Sequence, residues 1–256
     1  MAVGKLLDEA LLSWDGMSSM LRSRLDALPG PLRILEAGCG RLWPLKLSVP
    51  FTLTGLDLDP DALAARTDLD RTVLGDLRTV EFAPDSFDVI YSAFVLEHVR
   101  GAQGVLERFA RWLAPGGTLI LKIPDRDSVY GFATRLTPYW VHVMFHRYML
   151  GQPLAGTPGR GPYPTYYDAV ISKRGLREFC DRNGLTVPEV YRQCSYAKFP
   201  PVRMAAFLAS MLSAGRLAWR HNNLLFIARR KAPLGREAAG SRTEPLLNQL
   251  TGARAR

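Results

Sequence analysis

The sequence predicts an α/β protein: a mostly parallel sheet of seven strands, helices on both faces, and an inserted segment late in the chain. Three observations carry this. The apolar run 32–35 ends in Glu36-Ala37-Gly38-Cys39-Gly40, an acidic residue and two glycines spaced by one. A parallel strand ends in this way where it turns sharply beneath a bound ligand. Two further short apolar runs end in carboxylates, 51–56 in Asp57 and 73–75 in Asp76, so Glu36, Asp57 and Asp76 are expected along one carboxyl edge of the sheet. Amphipathic helical stretches alternate with these runs, as crossover connections require.

The turn narrows the ligand. Gly38 and Gly40 free the backbone and remove Cβ atoms that a ligand would strike. A dinucleotide fingerprint needs another glycine where this chain has Trp43, and a Walker loop needs a Gly-Lys-Ser/Thr that does not follow. The stretches LEAGCG, GLDLDP, LGD, FDVIYSAFVLEHV and LAPGGTLILKIP, in this order over 33–124, resemble the class I S-adenosylmethionine-dependent methyltransferases, close to their broad small-molecule branch. The resemblance implies a Rossmann-like fold and S-adenosyl-L-methionine as cofactor. It also implies a cofactor crevice built by Glu36, Gly38, Gly40, Asp57, Leu58, Asp76, Leu77 and Ser92. One residue departs from the pattern. Leu42 stands where the family usually has a third glycine, so the turn must tolerate a side chain or open slightly.

Composition bounds the rest. The 256 residues are 47% apolar, enough for a globular core. Cys39, Cys180 and Cys194 form no CxxC pair, which fits reduced thiols and a cytoplasmic location better than disulfides or zinc. The first residues lack a basic start followed by a long apolar core, so no signal peptide is expected, and no apolar run is long enough to span a membrane. The net charge of +9 is uneven: residues 1–124 carry 13 basic against 16 acidic side chains, residues 125–230 carry 15 against 6, and the tail from Lys231 carries 5 against 2. Such a distribution suits an anionic substrate or a membrane surface, or is simply a solvated basic face. The arginines are dispersed and no recognition motif accompanies them, which argues against nucleic acid.

In chain order, residues 1–30 form an N-terminal helical segment, with an apolar stripe over 3–28 interrupted at Asp15-Gly16 and closed by Pro29-Gly30-Pro31. It packs on the sheet or lays Trp14 or Met17 over the ligand. The core, 31–124, starts with strand 32–36 and an irregular segment to 47, where Pro44 and Pro50 leave no room for a long helix. Strand 51–57 delivers Asp57 for the ribose hydroxyls, while Asp59 caps a helix over 60–67. Strand 71–75 leads to Asp76, either a turn aspartate or the acceptor for the adenine amino group, with the Leu77 N–H donating to a ring nitrogen. Strand 87–92 ends at Ser92. Glu97-His98 follows in a short helical piece, with His98 facing either the pocket or the core. Helix 103–113 stops at Gly116-Gly117, and strand 118–123 ends at Pro124.

Residues 125–171, rich in aromatic and turn residues, read as an inserted substrate cap. A helical piece around 139–150 places His142 and His146 at i and i+4 on one face. The pair lacks the glutamate of HExxH and a third ligand, so no metal centre is expected. One of the two histidines is the candidate general base, with substrate hydrogen bonding or packing within the cap as the alternatives, and His98 is a further catalytic candidate. Residues 172–230 complete the sheet: helix 172–184 capped by Ser172, strand 185–194, an apolar helix 201–218, and strand 223–228. Met204, Phe207, Leu208, Met211 and Leu212 of the apolar helix share a face for core packing, a dimer, a lipophilic acceptor or a membrane surface. The tail 231–256 reads as disordered.

The reaction implied is methyl transfer to a small organic or glycan- or lipid-linked metabolite, foremost at an oxygen. N- or C-methylation in the same pocket, and a non-catalytic binding or scaffold protein of the same fold, are the alternatives. The partner is then a small, anionic or lipophilic acceptor, with peripheral membrane contact open and a monomer or homodimer expected.

Overall fold

The structure is a computed structural model that describes residues 13–149, 151–157, 159–186, 189–195 and 200–232. Its seven strands are β1 (Leu32–Ala37), β2 (Phe51–Asp57), β3 (Arg71–Leu74), β4 (Phe87–Ala93), β5 (Leu113–Pro124), β6 (Glu189–Gln193) and β7 (Asn223–Arg229), in the order β3-β2-β1-β4-β5-β7-β6. Neighbours are parallel except that β7 runs antiparallel between β5 and β6. The direction of winding reverses between β1 and β4, and a crevice opens at their carboxyl ends.

Alternation along each strand sends side chains to two cores. On one face Leu35, Ile90, Leu121 and Phe226 pack under α3 (Ala102–Trp112) and α6 (Lys173–Arg182) through Leu106, Phe109, Trp112 and Phe179. On the other, Ile34, Val89, Ile120 and Leu225 meet Met17, Leu21 and Leu25 of α1 (Trp14–Asp26). Met17 is therefore a core residue, and the Asp15-Gly16 pair is no interruption: Ser13 caps α1 by accepting from the Gly16 N–H, and both residues lie in its first turn. The part of the N-terminal stripe before Ser13, and the tail from residue 233 on, lie outside the described residues.

Several bounds differ from the sequence reading. Helix α2 is shorter, Pro60–Ala64, although Asp59 caps it as expected through the Asp61 and Ala62 N–H groups. β5 starts at Leu113 because the Gly116-Gly117 turn stays within the strand as a register irregularity. No regular helix follows the glycine turn through residue 50.

The segment between β5 and α6 holds α4 (Val129–Leu136), α5 (Tyr139–Met144) and a π-helical turn, Phe145–Met149. α4 packs against α7 (Pro200–Leu212). The core-packing reading of α7 is overturned: its small residues Ala206 and Ser210 face inward, while Met204, Phe207, Leu208, Met211 and Leu212 are exposed.

Candidate active site

The glycine turn is held from beneath by β2. Gly38 and Cys39 donate their N–H groups to the Leu56 carbonyl at 2.8 and 3.1 Å. Gly40 donates to Asp57 Oδ2 at 2.8 Å, and Asp59 N–H donates to Asp57 Oδ1 at 2.9 Å. Each carboxylate oxygen keeps a further lone pair for a ligand hydroxyl. The two glycines serve different ends. Gly38, at φ +73°, is required by packing, because a Cβ there would overlap the Val95 side chain. Gly40, at φ +55°, has no atom of the described residues within 4 Å of where a Cβ would stand, which leaves space before it. Leu42 is accommodated by pointing into solvent, 77% exposed, while Trp43 turns inward edge-on to Tyr91 at 5.5 Å.

Glu36 is buried and already engaged. Arg66, on the far side of α2, donates to Glu36 Oε2 at 2.8 Å, to the Cys39 carbonyl at 2.9 Å and to Asp68. Burial raises the Glu36 carboxyl to about 7 against the pull of Arg66. The guanidinium thereby ties the first strand end, the glycine turn and the residues after α2 into one rigid unit. Arg66 lies in no motif, and nothing in the sequence marked it. Burial, with the charges of Asp57 and Glu36, also pushes the Cys39 thiol up to about 12, so it is inert at neutral pH.

Asp76 lies just past β3 and is paired with Arg78, whose guanidinium and backbone N–H both donate to it and hold its carboxyl below the usual range. An adenine amino group would share it with Arg78 or displace the guanidinium. The Leu77 side chain is buried, while its N–H makes no hydrogen bond among the described residues and is available to a ring nitrogen. Leu58 is 65% exposed on the rim. Ser92 is fully buried and donates to the Ala37 carbonyl at 2.9 Å, so it fastens β4 to β1 at the base of the crevice. Asp76 is paired with Arg78 and Asp59 lies 3.6 Å from Arg41 Nη2, so Asp57 is the carboxylate of this edge that has no arginine partner among the described residues.

Beyond β4 the chain enters a strained turn: Phe94 has φ +57°, uncommon for a bulky residue and found where surroundings over-determine the backbone. It leads into the 3₁₀ helix Leu96–His98. His98 Nδ1 lies 2.9 Å from the Pro164 carbonyl, its ring is edge-on to Tyr163 at 5.7 Å, and the Tyr166 N–H donates to the Glu97 carbonyl at 2.8 Å. A carbonyl only accepts, so Nδ1 carries the proton and Nε2 presents a lone pair in the neutral ring. Burial lowers the His98 pKa and favours that neutral form. Glu97 is buried, with Oε1 3.8 Å from His98 Nε2 and Oε2 without a hydrogen-bond partner among the described residues. Burial raises its carboxyl to about 8, so it is largely protonated at neutral pH.

His142 and His146 occupy different surroundings. His142 Nε2 contacts Thr137 Oγ1 at 2.6 Å and His146 Nδ1 contacts Gln152 Oε1 at 2.9 Å, both within the segment between β5 and α6. The rings are near enough that, after burial, the charge of His146 contributes to lowering the His142 pKa. Among the described residues no three His, Cys, Asp or Glu side chains form a metal-binding group. A fourth histidine went unremarked in the sequence. His221 Nε2 lies 2.8 Å from Asp125 Oδ2, both buried, and its Nδ1 has no hydrogen-bond partner among the described residues. Asp125 follows β5 and His221 precedes β7, so the antiparallel pairing of those strands brings them together; 96 residues of separation hid the dyad.

Comparison with known proteins agrees with this geometry. Residues 35–121 match the family model described as a methyltransferase domain. Over these residues the chain therefore matches a methyltransferase domain. Methyltransferase str3 of Strobilurus tenacellus is 33% identical over 107 residues, 40% of this chain and 38% of that protein. A ubiquinone biosynthesis O-methyltransferase of Xanthomonas campestris pv. campestris is 31% identical over 134 residues, 45% of this chain and 56% of that protein. The matches thus span less than two thirds of either relative. A SAM dependent methyltransferase from Archaeoglobus fulgidus shares the fold, with a TM-score of 0.54 at 13% identity over 85% of this chain and 95% of that one.

Proposed function

We propose that this protein transfers a methyl group from S-adenosylmethionine to an oxygen of a small organic or glycan- or lipid-linked metabolite, with residues 125–171 acting as the substrate cap. The observation that carries the reading is His98. Its proton is fixed on Nδ1 by the Pro164 carbonyl of the cap, and Nε2 is left as a base just past the carboxyl end of β4. The cofactor supplies a methyl group already activated on a sulfonium. The protein's part is to hold the acceptor in line, exclude water and receive the hydroxyl proton.

Asp57 takes the ribose hydroxyls, Asp76 and the Leu77 N–H the adenine, and Gly38, Gly40 and Leu58 shape the floor and rim. Arg66-bound Glu36 and Ser92 keep that floor rigid. His98 is favoured over His142 and His146 because it stands just past the carboxyl end of β4 with its tautomer fixed by a carbonyl, whereas those two lie within residues 125–171 against a hydroxyl and an amide oxygen. Oxygen as the acceptor atom rests on the base alone, because the relatives include O-, N- and C-methyltransferases alike.

Calorimetry with Asp57→Ala tests the crevice: S-adenosylmethionine affinity is expected to fall sharply, and unchanged affinity would overturn the assignment. Parent protein that binds no cofactor would instead support a scaffold of methyltransferase fold. For the base, S-adenosylhomocysteine release from a panel of phenols is expected to drop in His98→Ala and to persist in His142→Ala and His146→Ala. Full turnover in His98→Ala would leave N- or C-methylation as the better reading.

A further inference from the structure

We propose that the outward faces of α4 and α7 form a docking surface for an anionic lipid bilayer. α7 turns its amphipathicity inside out. Ala206 and Ser210 face the protein, and Val202, Met204, Phe207, Leu208, Met211 and Leu212 face outward, with Leu212 91% exposed. α4 adds exposed Phe132 and Leu136. The two helices form one unit: they pack together, the Val129 N–H donates to the Ala218 carbonyl at 2.8 Å, and the Ala218 N–H donates to the Asp127 carbonyl at 3.0 Å. Contiguous exposed apolar residues on this scale mark an interaction site rather than ordinary surface.

Charge selects the occupant. Residues 126–149 and 200–220 contain Arg126, Arg135, Arg147, Arg203, Arg216 and Arg220 against a single acid, Asp127. Among the described residues none of these arginines forms an ion pair. Two copies of such a face would bring like charges together, whereas an anionic bilayer offers apolar depth below and negative charge above. Arg and Met suit that boundary, the one keeping its charge in the headgroups while its stem is buried, the other flexible and apolar. Trp219, edge-on to Phe207 at 5.2 Å and under Arg220 at 5.4 Å, supplies the aromatic group favoured at membrane interfaces. No helix of the described residues is long and apolar enough to cross a membrane, so the contact is in the plane of the interface.

The proposal is independent of the methyl-transfer reading, since vesicle binding is measured without cofactor or acceptor. The test is flotation of the full chain with phosphatidylcholine vesicles, with and without phosphatidylglycerol. Binding is expected only with the anionic lipid and should fall as salt is raised. Arg203→Gln with Arg216→Gln should lower the partition about 25-fold, about fivefold for each charge removed. Met211→Asp with Leu212→Asp should lower it at least about tenfold. Both pairs are exposed, and unchanged circular dichroism and melting temperature confirm that the variants fold. Absence of binding, equal binding to neutral vesicles, or variants that bind like the parent would overturn the proposal. So would a dimer, seen by light scattering, that Met211→Asp dissociates in a protein that ignores vesicles.

Discussion

Glu97→Gln isolates the cost of burying a carboxyl with an unpartnered oxygen. Glu97 is 3% exposed, and burial raises its pKa from the ordinary 4.5 to about 8. Between those values the folded protein holds a proton that the unfolded chain has released, so this group makes stability fall as pH rises through that window. At about 1.4 kcal/mol per pH unit, the penalty integrates to roughly 1 kcal/mol at pH 5 and roughly 4 kcal/mol at pH 8. Glutamine has the same shape and no proton to lose. The stability of Glu97→Gln relative to the parent should therefore rise by roughly 3 kcal/mol between pH 5 and pH 8, whatever other groups contribute, because those cancel in the difference. Urea unfolding at both pH values, extrapolated linearly, reads this directly. A difference that does not change with pH would refute the reasoning. A variant that loses stability toward pH 8 would show that the carboxylate is charged and bonded in the fold.

The two turn glycines should separate fold from ligand. Gly40→Ala should cost only about 1–2 kcal/mol for its positive φ, yet abolish cofactor binding by calorimetry. Gly38→Ala adds the clash with Val95 and should cost about 2–5 kcal/mol in denaturant unfolding. Arg66→Met leaves Glu36 buried without its partner and should destabilise by roughly 3–5 kcal/mol at neutral pH. That loss should be smaller near pH 5, where Glu36 takes up a proton. Lys122 is buried and its pKa is depressed to about 8 by burial, so the unfolded chain binds more protons between pH 8 and 10.5 and stability rises with pH there. Lys122→Met should stabilise by at most roughly 3 kcal/mol below pH 8, an advantage that melting curves should show fading toward pH 10.5.

Strand ends were legible because a buried parallel strand writes itself as an apolar run, and its terminal carboxylate or glycine stands out against that run. Glu36, Asp57 and Asp76 were placed in this way, and the sheet puts all three just at or beyond carboxyl ends. What the carboxylates touch was not legible. Arg66 reaches Glu36 across 30 residues and Arg78 occupies Asp76 from two residues away, and neither pairing has a period or motif. Likewise the hydrophobic stripe of α7 predicts that one face is apolar but not which way it points. In the fold it is the small residues Ala206 and Ser210 that face the protein, and the large apolar ones that face out. The Asp125–His221 dyad depends on β7 returning antiparallel beside β5, a pairing no local pattern encodes.

The same logic explains why the cap matters to the proposed chemistry beyond covering the acceptor. His98 belongs to the core, but the group that fixes its tautomer, the Pro164 carbonyl, belongs to the cap, as do the Tyr163 ring against it and the Tyr166 N–H on the Glu97 carbonyl. Without the Pro164 contact the imidazole would be free to protonate either nitrogen and to rotate. With it, Nε2 is the basic atom and its direction is set. Tyr167 at the end of this stretch has φ +47° and Phe94 has φ +57°, so both the turn after β4 and the stretch that contacts His98 hold an aromatic residue in a sparsely populated conformation. On the proposed function, the base is oriented by the contact that joins residues 125–171 to the core, which would tie proton acceptance to the geometry that excludes water from the acceptor.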